Sequence, residues 1–357
     1  MNPDIQKIFD LADDSVKRFA PERLNWSWGQ ALFLYALAKI DEEHGADHYT
    51  GYLRRFYDHH IKKGYRLCSS DTSAPALGAL YLALKTENGR YWSVVNAVKN
   101  YYETTPRVLE DMPNHLGTGV ESLIYPKSVW VDSIMMYGVF TNWLAHATND
   151  EKMRGFAKKQ PAAFARYLQD DGTGFFYHSY WTKLRTHYPV KPIFWGRGNG
   201  WVMAALPLLL DYLPGEEREH MTKVFVRLAE ALLPYQRQDG YFETVFNRPG
   251  KTYKESSATM LIASGWFYGY RKGMLGREYY DASVKAFHAV CEDIQIKDGL
   301  LSMPYISAPT SAIQLIPYLV YKLTPRGNDW TYGLAAAFFA ALEYLRCTQE
   351  SGVGDSE

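Results

Sequence analysis

Two carboxylates, an arginine and a set of indoles are the residues whose types and spacing could do chemistry in this chain. Asp132 stands in "YPKSVWVDSIMM", residues 125–136, between Trp130 and Ile134. That run is apolar enough to be buried, and a carboxylate is seldom buried without a partner or a task. Asp71, in "SSDTSAP", reads equally as a second acid and as a plain helix N-cap. Capping stays open for Asp132 as well. The stretch "FWGRGNGWVMAALPLLLDYL", residues 194–213, sets Trp195, Arg197, Asn199 and Trp201 at the mouth of a helix. An arginine between aromatic faces at a helix N-terminus can hold an anion on a flat ring. The loop "DDGTGFFYHSYW" adds His178, whose plain reading is a histidine satisfied by a hydrogen bond. Trp28 and Gln30 in "NWSWGQ", and Lys127 with Tyr125, extend the same set. Together these groups suit a negatively charged sugar.

Other chemistries lack their residues. "GRGNG" has neither the spacing nor the preceding strand of a dinucleotide fingerprint. His59 and His60 are adjacent, so they do not share a helix face; they read as solvent residues rather than ligands. No set of spaced ligands appears, so neither a metal nor a cofactor is expected. The three cysteines, Cys68, Cys291 and Cys347, form no disulfide framework. The formal net charge is zero, without the basic excess that nucleic acid or a membrane surface calls for. Aromatic residues are 15% of the chain, with 28 tyrosines, a tilt toward sugar rings that core packing could also use. The N-terminal "MNPDIQKIFDLADDSVKRF" has no apolar signal region, and runs such as "AALPLLL" are too short to span a bilayer. A cytoplasmic monomer or homodimer is the expectation.

These groups need elements to position them. Helical periodicity dominates, with about twelve amphipathic patterns, among them 4–19, 128–147, 151–169, 199–213 and 330–347. Only "GYFETVF" and "GLLSMPYI" read as strands. Three aromatic-rich connectors, 105–127, 170–196 and 296–328, are too long for plain turns and too apolar for linkers. Six loops of similar flavour, each opening a helix rich in Ala, Gly and Ser, recur about every 45–65 residues. Six helical hairpins then close one object, an all-α (α/α)6 barrel formed by a single domain over residues 1–357. Its inner helices share an end where their N-termini meet.

The motifs "NWSWGQALFLYAL", "SSDTSAPALGALYLALK", "YPKSVWVDSIMM", "FYHSYW", "FWGRGNGWVMAALP" and "KESSATMLIASG" together resemble the unsaturated rhamnogalacturonyl hydrolases, glycoside hydrolase family 105. That family is related to the unsaturated glucuronyl hydrolases. The resemblance runs over roughly residues 20–275 and weakens beyond, where 296–328 should line the distal side of the pocket. It implies the same (α/α)6 barrel and an activity in pectin degradation. A 4,5-unsaturated uronic acid would be removed from the non-reducing end of lyase-generated oligosaccharides, most naturally unsaturated galacturonyl-rhamnose. Asp132 falls on the acid/base position and Asp71 on the second aspartate. Arg197 and His178 fall on substrate-binding positions, with Arg197 clamping the sugar carboxylate between Trp195 and Trp201. Rival readings are an inverting glycosidase on saturated glycosides with Asp71 and Asp132 as base and acid, a sugar epimerase, and a sugar-binding protein without catalysis.

Overall fold

The small residues of six helices decide the architecture. The computed structural model describes residues 2–312 and 316–353. An inner ring is formed by Trp28–His44, Ala76–Thr86, Val139–Thr148, Gly196–Leu210, Ser256–Arg271 and Thr331–Val353, each touching the next and the last touching the first. Each inner helix also packs on an outer one. In ring order these are Thr50–Lys63, Gly89–Thr104, Glu151–Ala157, Gly215–Leu232, Arg277–Asp293 and, against the last inner helix, the N-terminal Pro3–Arg18. The expected (α/α)6 barrel is therefore present. Outer helices bury one stripe, as Pro3–Arg18 does with Ile5, Ile8, Phe9, Leu11, Ala12 and Ser15. Inner helices are buried all round, as Ser256–Arg271 is from Ser256 to Gly269.

Two glycines let neighbouring inner helices approach. A methyl group on Gly200 would lie 2.9 Å from Leu261 Cβ, and one on Gly265 would collide with the Met203 carbonyl oxygen. Backbone cannot yield as a flexible side chain can, so Gly265→Ala is expected to cost about 1–3 kcal/mol. The midpoint of urea unfolding, at unchanged slope, measures that loss.

Several elements depart from the sequence reading. The pattern at 128–147 starts as a strand, Ser128–Trp130, which pairs with Ser179–Trp181; this in turn pairs with Thr186–Tyr188. A π turn, Ile134–Gly138, leads from that strand into the inner helix. The pattern at 151–169 breaks into Glu151–Ala157 and Gln160–Leu168, because Pro161 suits a first turn and not a helix interior. "GYFETVF" forms no strand and makes only single bridges, Trp195 with Val245 and Glu243 with Lys254. "GLLSMPYI" yields Leu300–Ser302 and the start of Ile306–Ser307. His60 is buried with Nε2 on the Leu24 carbonyl at 2.9 Å, so it is not a solvent residue. Among the described residues no helix is long and apolar enough to cross a membrane.

Candidate active site

Where the inner helices begin, a cavity of about 220 Å³ opens, lined by Trp28, Asp71, His115, Leu116, Glu121, Tyr125, Trp130, Asp132, Trp195, Arg197, Pro309, Thr310 and Ser311. Asp71 reaches it because another residue does the capping. Ser69 accepts from the Thr72 N–H while Thr72 Oγ1 accepts from the Ser69 N–H, a capping box that leaves the Asp71 carboxyl uncommitted. Asp132 reaches it from the end of the strand Ser128–Trp130, which the Val131 N–H ties to the His178 carbonyl at 2.8 Å. The Asp132 backbone carbonyl starts the following turn by accepting from Met135 and Met136, while its carboxyl caps nothing. Oδ1 is buried without a hydrogen-bond partner, 3.8 Å from His178 Nε2, which is equally unpartnered.

Burial pushes the Asp132 carboxyl up to about 7, against a smaller downward pull from the Arg197 charge. Burial also pushes Asp71 up to about 7, helped by the charges of Asp132 and Glu121. Each acid has a histidine beside it. The His115 ring lies flat on Trp130 at 4.3 Å, with Nδ1 on Ser133 Oγ at 2.8 Å and Nε2 3.6 Å from Asp71 Oδ1. The His178 ring stacks on Trp195 at 4.2 Å and bonds through Nδ1 to Tyr321 Oη at 2.9 Å. Burial holds His115 down at about 3, and it holds His178 well below the usual range with help from His115 and Arg197. Both imidazoles are neutral at pH 7, and the two acids can keep protons near neutrality. That is an arrangement for general acid–base chemistry.

The Arg197 guanidinium is sandwiched between Trp195 and Tyr332, 4.8 Å from each ring centroid. Its fork is engaged: Nη1 donates to the Ser307 carbonyl at 2.8 Å and Nη2 to that of Ala308 at 2.9 Å. Glu255 Oε1 lies 3.8 Å from Nη1. Glu255 itself accepts from Ser257 and Ala258 at the start of an inner helix and from the Ser307 N–H. Arg197 therefore fastens the segment that presents Pro309, Thr310 and Ser311 to the cavity.

The sequence profile of Glycosyl Hydrolase Family 88 matches residues 5–348. The chain belongs to glycosyl hydrolase family 88. It is similar to the unsaturated rhamnogalacturonyl hydrolase YesR of Bacillus subtilis (strain 168), 26% identical over 350 residues that cover 94% of this chain and 95% of that relative. It is also similar to an unsaturated 3S-rhamnoglycuronyl hydrolase of Alteromonas sp. (strain LOR), 31% identical over 60% of this chain and 51% of that one. A solved family 105 glycoside hydrolase from C. acetobutylicum shares the fold with a TM-score of 0.83 at 22% identity, covering 94% of this chain and 98% of that one.

In this family 88 hydrolase the residues singled out from the sequence divide by place. Asp71, Asp132, Arg197, Trp195 and Trp28 line one cavity. His178 stands behind Asp132 rather than on the cavity wall. Four residues lie elsewhere, each for a physical reason. Trp201 is fully buried and meets the edge of Trp28, so Tyr332 supplies the second face for Arg197. Asn199 is tied up holding the 170–181 loop, accepting from the Phe176 N–H and donating to the Phe176 and Trp195 carbonyls. Lys127 is exposed and contributes its backbone carbonyl to Thr182. Gln30 lines a separate groove with Arg18, Asp329 and Trp330, because two residues on from Trp28 it projects from about the opposite side of the helix. Two of the five Arg197 N–H donors serve the protein's own carbonyls, while Nε is buried without a partner and the residue still lines the cavity, so the side chain has a structural duty beside the clamp role expected of it. His115, Glu121 and Tyr321 were not singled out for chemistry, because "NHLG" and "YLVYK" carry no motif that marks them. The 296–328 connector does line the cavity, as its position past the barrel motifs suggested.

Proposed function

We propose that this hydrolase removes a 4,5-unsaturated uronic acid from the non-reducing end of lyase-generated oligosaccharides, with unsaturated galacturonyl-rhamnose as the favoured substrate. The observation that carries the reading is Asp132, a carboxyl raised to about 7 that opens onto an aromatic-lined cavity beside a second raised carboxyl. The names of the similar proteins support the substrate class.

The chemistry asks for one group that gives and then takes a proton. The substrate's C4=C5 bond is an enol ether. Protonated Asp132 gives its proton to C4, and positive charge develops at C5 and the ring oxygen. Asp132, now a carboxylate, takes a proton from the water that adds at C5. The hemiketal so formed opens to a 5-keto acid. C1 is then a hemiacetal, which releases the neighbouring sugar as an alcohol. Neither step needs a nucleophile on the anomeric carbon, so the two-carboxylate spacing of ordinary glycosidases is not called for. Asp71 keeps the shared proton at the site by repelling a second negative charge. Trp28 and Trp130 supply aromatic surface for the ring, and the Arg197 charge and the Thr310–Ser311 wall receive the carboxylate.

Loss of ultraviolet absorbance tests this directly, because hydration destroys the conjugated double bond. A panel of unsaturated disaccharides from pectin, glycosaminoglycan and ulvan digests should show loss with the pectin product fastest. Release of saturated uronides with no absorbance change would replace the reading with an ordinary glycosidase. The pH profile follows from the sign of the shift. A carboxyl raised to about 7 is protonated below that pH, so kcat/KM should hold below about 7 and fall roughly tenfold per unit above it. An aspartate at its ordinary value of 3.8 would already have lost its proton well below neutrality.

A further inference from the structure

We infer that Tyr321 is a positioning residue for the acid, acting through His178 to keep the Asp132 proton on the oxygen that faces the cavity. The inference rests on the acid/base reading of Asp132 above and adds to it a residue from the connector where the family resemblance fades. Tyr321 lies in the short helix Pro317–Leu323 and is fully buried. Its ring runs parallel to Trp195 and its hydroxyl meets His178 Nδ1 at 2.9 Å.

Hydrogen-bond accounting fixes the direction. His178 is neutral, so one ring nitrogen carries a proton and the other accepts. Suppose Nδ1–H donated to Tyr321. The phenolic proton would then be left buried, since among the described residues Tyr321 Oη has no partner other than His178. Nε2 would turn its lone pair toward Asp132 Oδ1. With the phenol donating to Nδ1, the phenolic proton is used and Nε2–H points at Oδ1, 3.8 Å away and otherwise unpartnered. Each arrangement leaves one buried donor without a bond at these distances, but only Nε2–H has an acceptor, Asp132 Oδ1, within reach of a small rotation, so the second arrangement prevails. Oδ1 then acts as an acceptor and is shut away from the cavity. The acid proton has to sit on Oδ2, where a substrate at the cavity can take it. After transfer the same Nε2–H stabilises the carboxylate. Closing the 3.8 Å gap requires only a small rotation of the Asp132 side chain, and apo hydrogen bonds commonly tighten when a substrate binds.

The groups that face Asp132 are Arg197 from the inner helix, Asp71, Glu121 and His115 across the cavity, and His178 with Tyr321 behind it. Glu255 sits behind Arg197, and Tyr188 adjoins Tyr321. Tyr321→Phe removes one hydroxyl, keeps the ring and leaves every other side chain named here in place.

The test combines a pH profile with a tautomer measurement. In Tyr321→Phe, kcat on an unsaturated disaccharide should fall about tenfold or more while KM stays within about twofold. The alkaline limb of kcat/KM should move to higher pH, because a donor to the ionised carboxyl has lost its orientation. Mere loosening that admits water would move the limb the other way, since relief of burial lowers a carboxyl pKa. On the unaltered protein, ¹⁵N spectra of labelled histidine should show His178 protonated at Nε2, assigned by its absence in His178→Gln. A wild-type Nδ1–H tautomer overturns the inference whatever Tyr321→Phe does, as does an unmoved or lowered alkaline limb. If the wild-type protein leaves every unsaturated disaccharide untouched, the proposed function fails, and the histidine spectra still decide the tautomer.

Discussion

Asp132→Asn should abolish turnover while the protein becomes more stable at neutral pH. Asn matches the size of Asp and keeps a hydrogen-bonding oxygen, so fold and sugar binding survive. It has no carboxylic proton to give and no basic oxygen to accept one from water. Both proton transfers fail together, and each is worth about 10²–10⁴-fold, so the loss should reach at least the top of that range. The absorbance assay measures it, and calorimetric binding of the same unsaturated disaccharide shows that affinity is retained. Stability moves oppositely. A carboxyl raised to about 7 from 3.8 disfavours the folded state once ionised. The penalty is absent below about pH 4, grows as the pH rises toward 7, and is full above that. A shift of about three units corresponds to at most about 4 kcal/mol. Asp132→Asn should therefore raise the melting temperature at pH 8 and leave it nearly unchanged at pH 4. Retained turnover in Asp132→Asn, with loss in Asp71→Asn, would exchange the roles of the two acids.

Arg197→Ala should cost stability as well as activity. The side chain is fully buried, and its removal leaves the Glu255 carboxylate, equally buried, without a cation. Breaking one partner out of a buried pair costs about 3–5 kcal/mol. The carbonyls it holds are less exposed to loss, for Ser307 O also accepts from Tyr332 and Ala308 O from Thr310. The cavity suffers through the 307–311 segment, which loses its tether, so kcat and KM should both deteriorate. Urea unfolding gives the stability change, and Arg197→Lys should recover part of it by restoring the charge without the fork. A variant with native stability and a raised KM alone would return Arg197 to the role of a free carboxylate clamp.

These expectations show which parts of the molecule its sequence made legible. Six small-residue helices, each opened by a polar or aromatic loop, specify the closed ring, because close helix approach needs missing side chains. Gly200 against Leu261 and Gly265 against Met203 are that requirement in atomic form. Asp132 was conspicuous as a charge inside an apolar run. Asp71 was ambiguous until the neighbouring Ser69–Thr72 capping box took the capping role from it. Arg197 stands out in the sequence for its aromatic surroundings, but its bonds to the protein's own backbone do not show there. Its partners, the Ser307 and Ala308 carbonyls, lie 110 and 111 positions away and are backbone groups, which no side-chain pattern announces.

The strand Ser128–Trp130 was read as helix for a related reason. Its hydrogen bonds go to residues 179–181, and an extended run is recognised only when its partner is in hand. His115 and Tyr321 stood in undistinguished contexts and gained significance from the aspartate and histidine set beside them. Local composition and periodicity reach only a few turns along the chain. They determined the ring, the shared end of its helices and the two acids that project there. Which donors remain free, how far each carboxyl is raised and which histidine stands behind which acid depend on contacts between distant segments. Hydrogen-bond satisfaction and desolvation are set by those contacts, so the tertiary structure alone decided them.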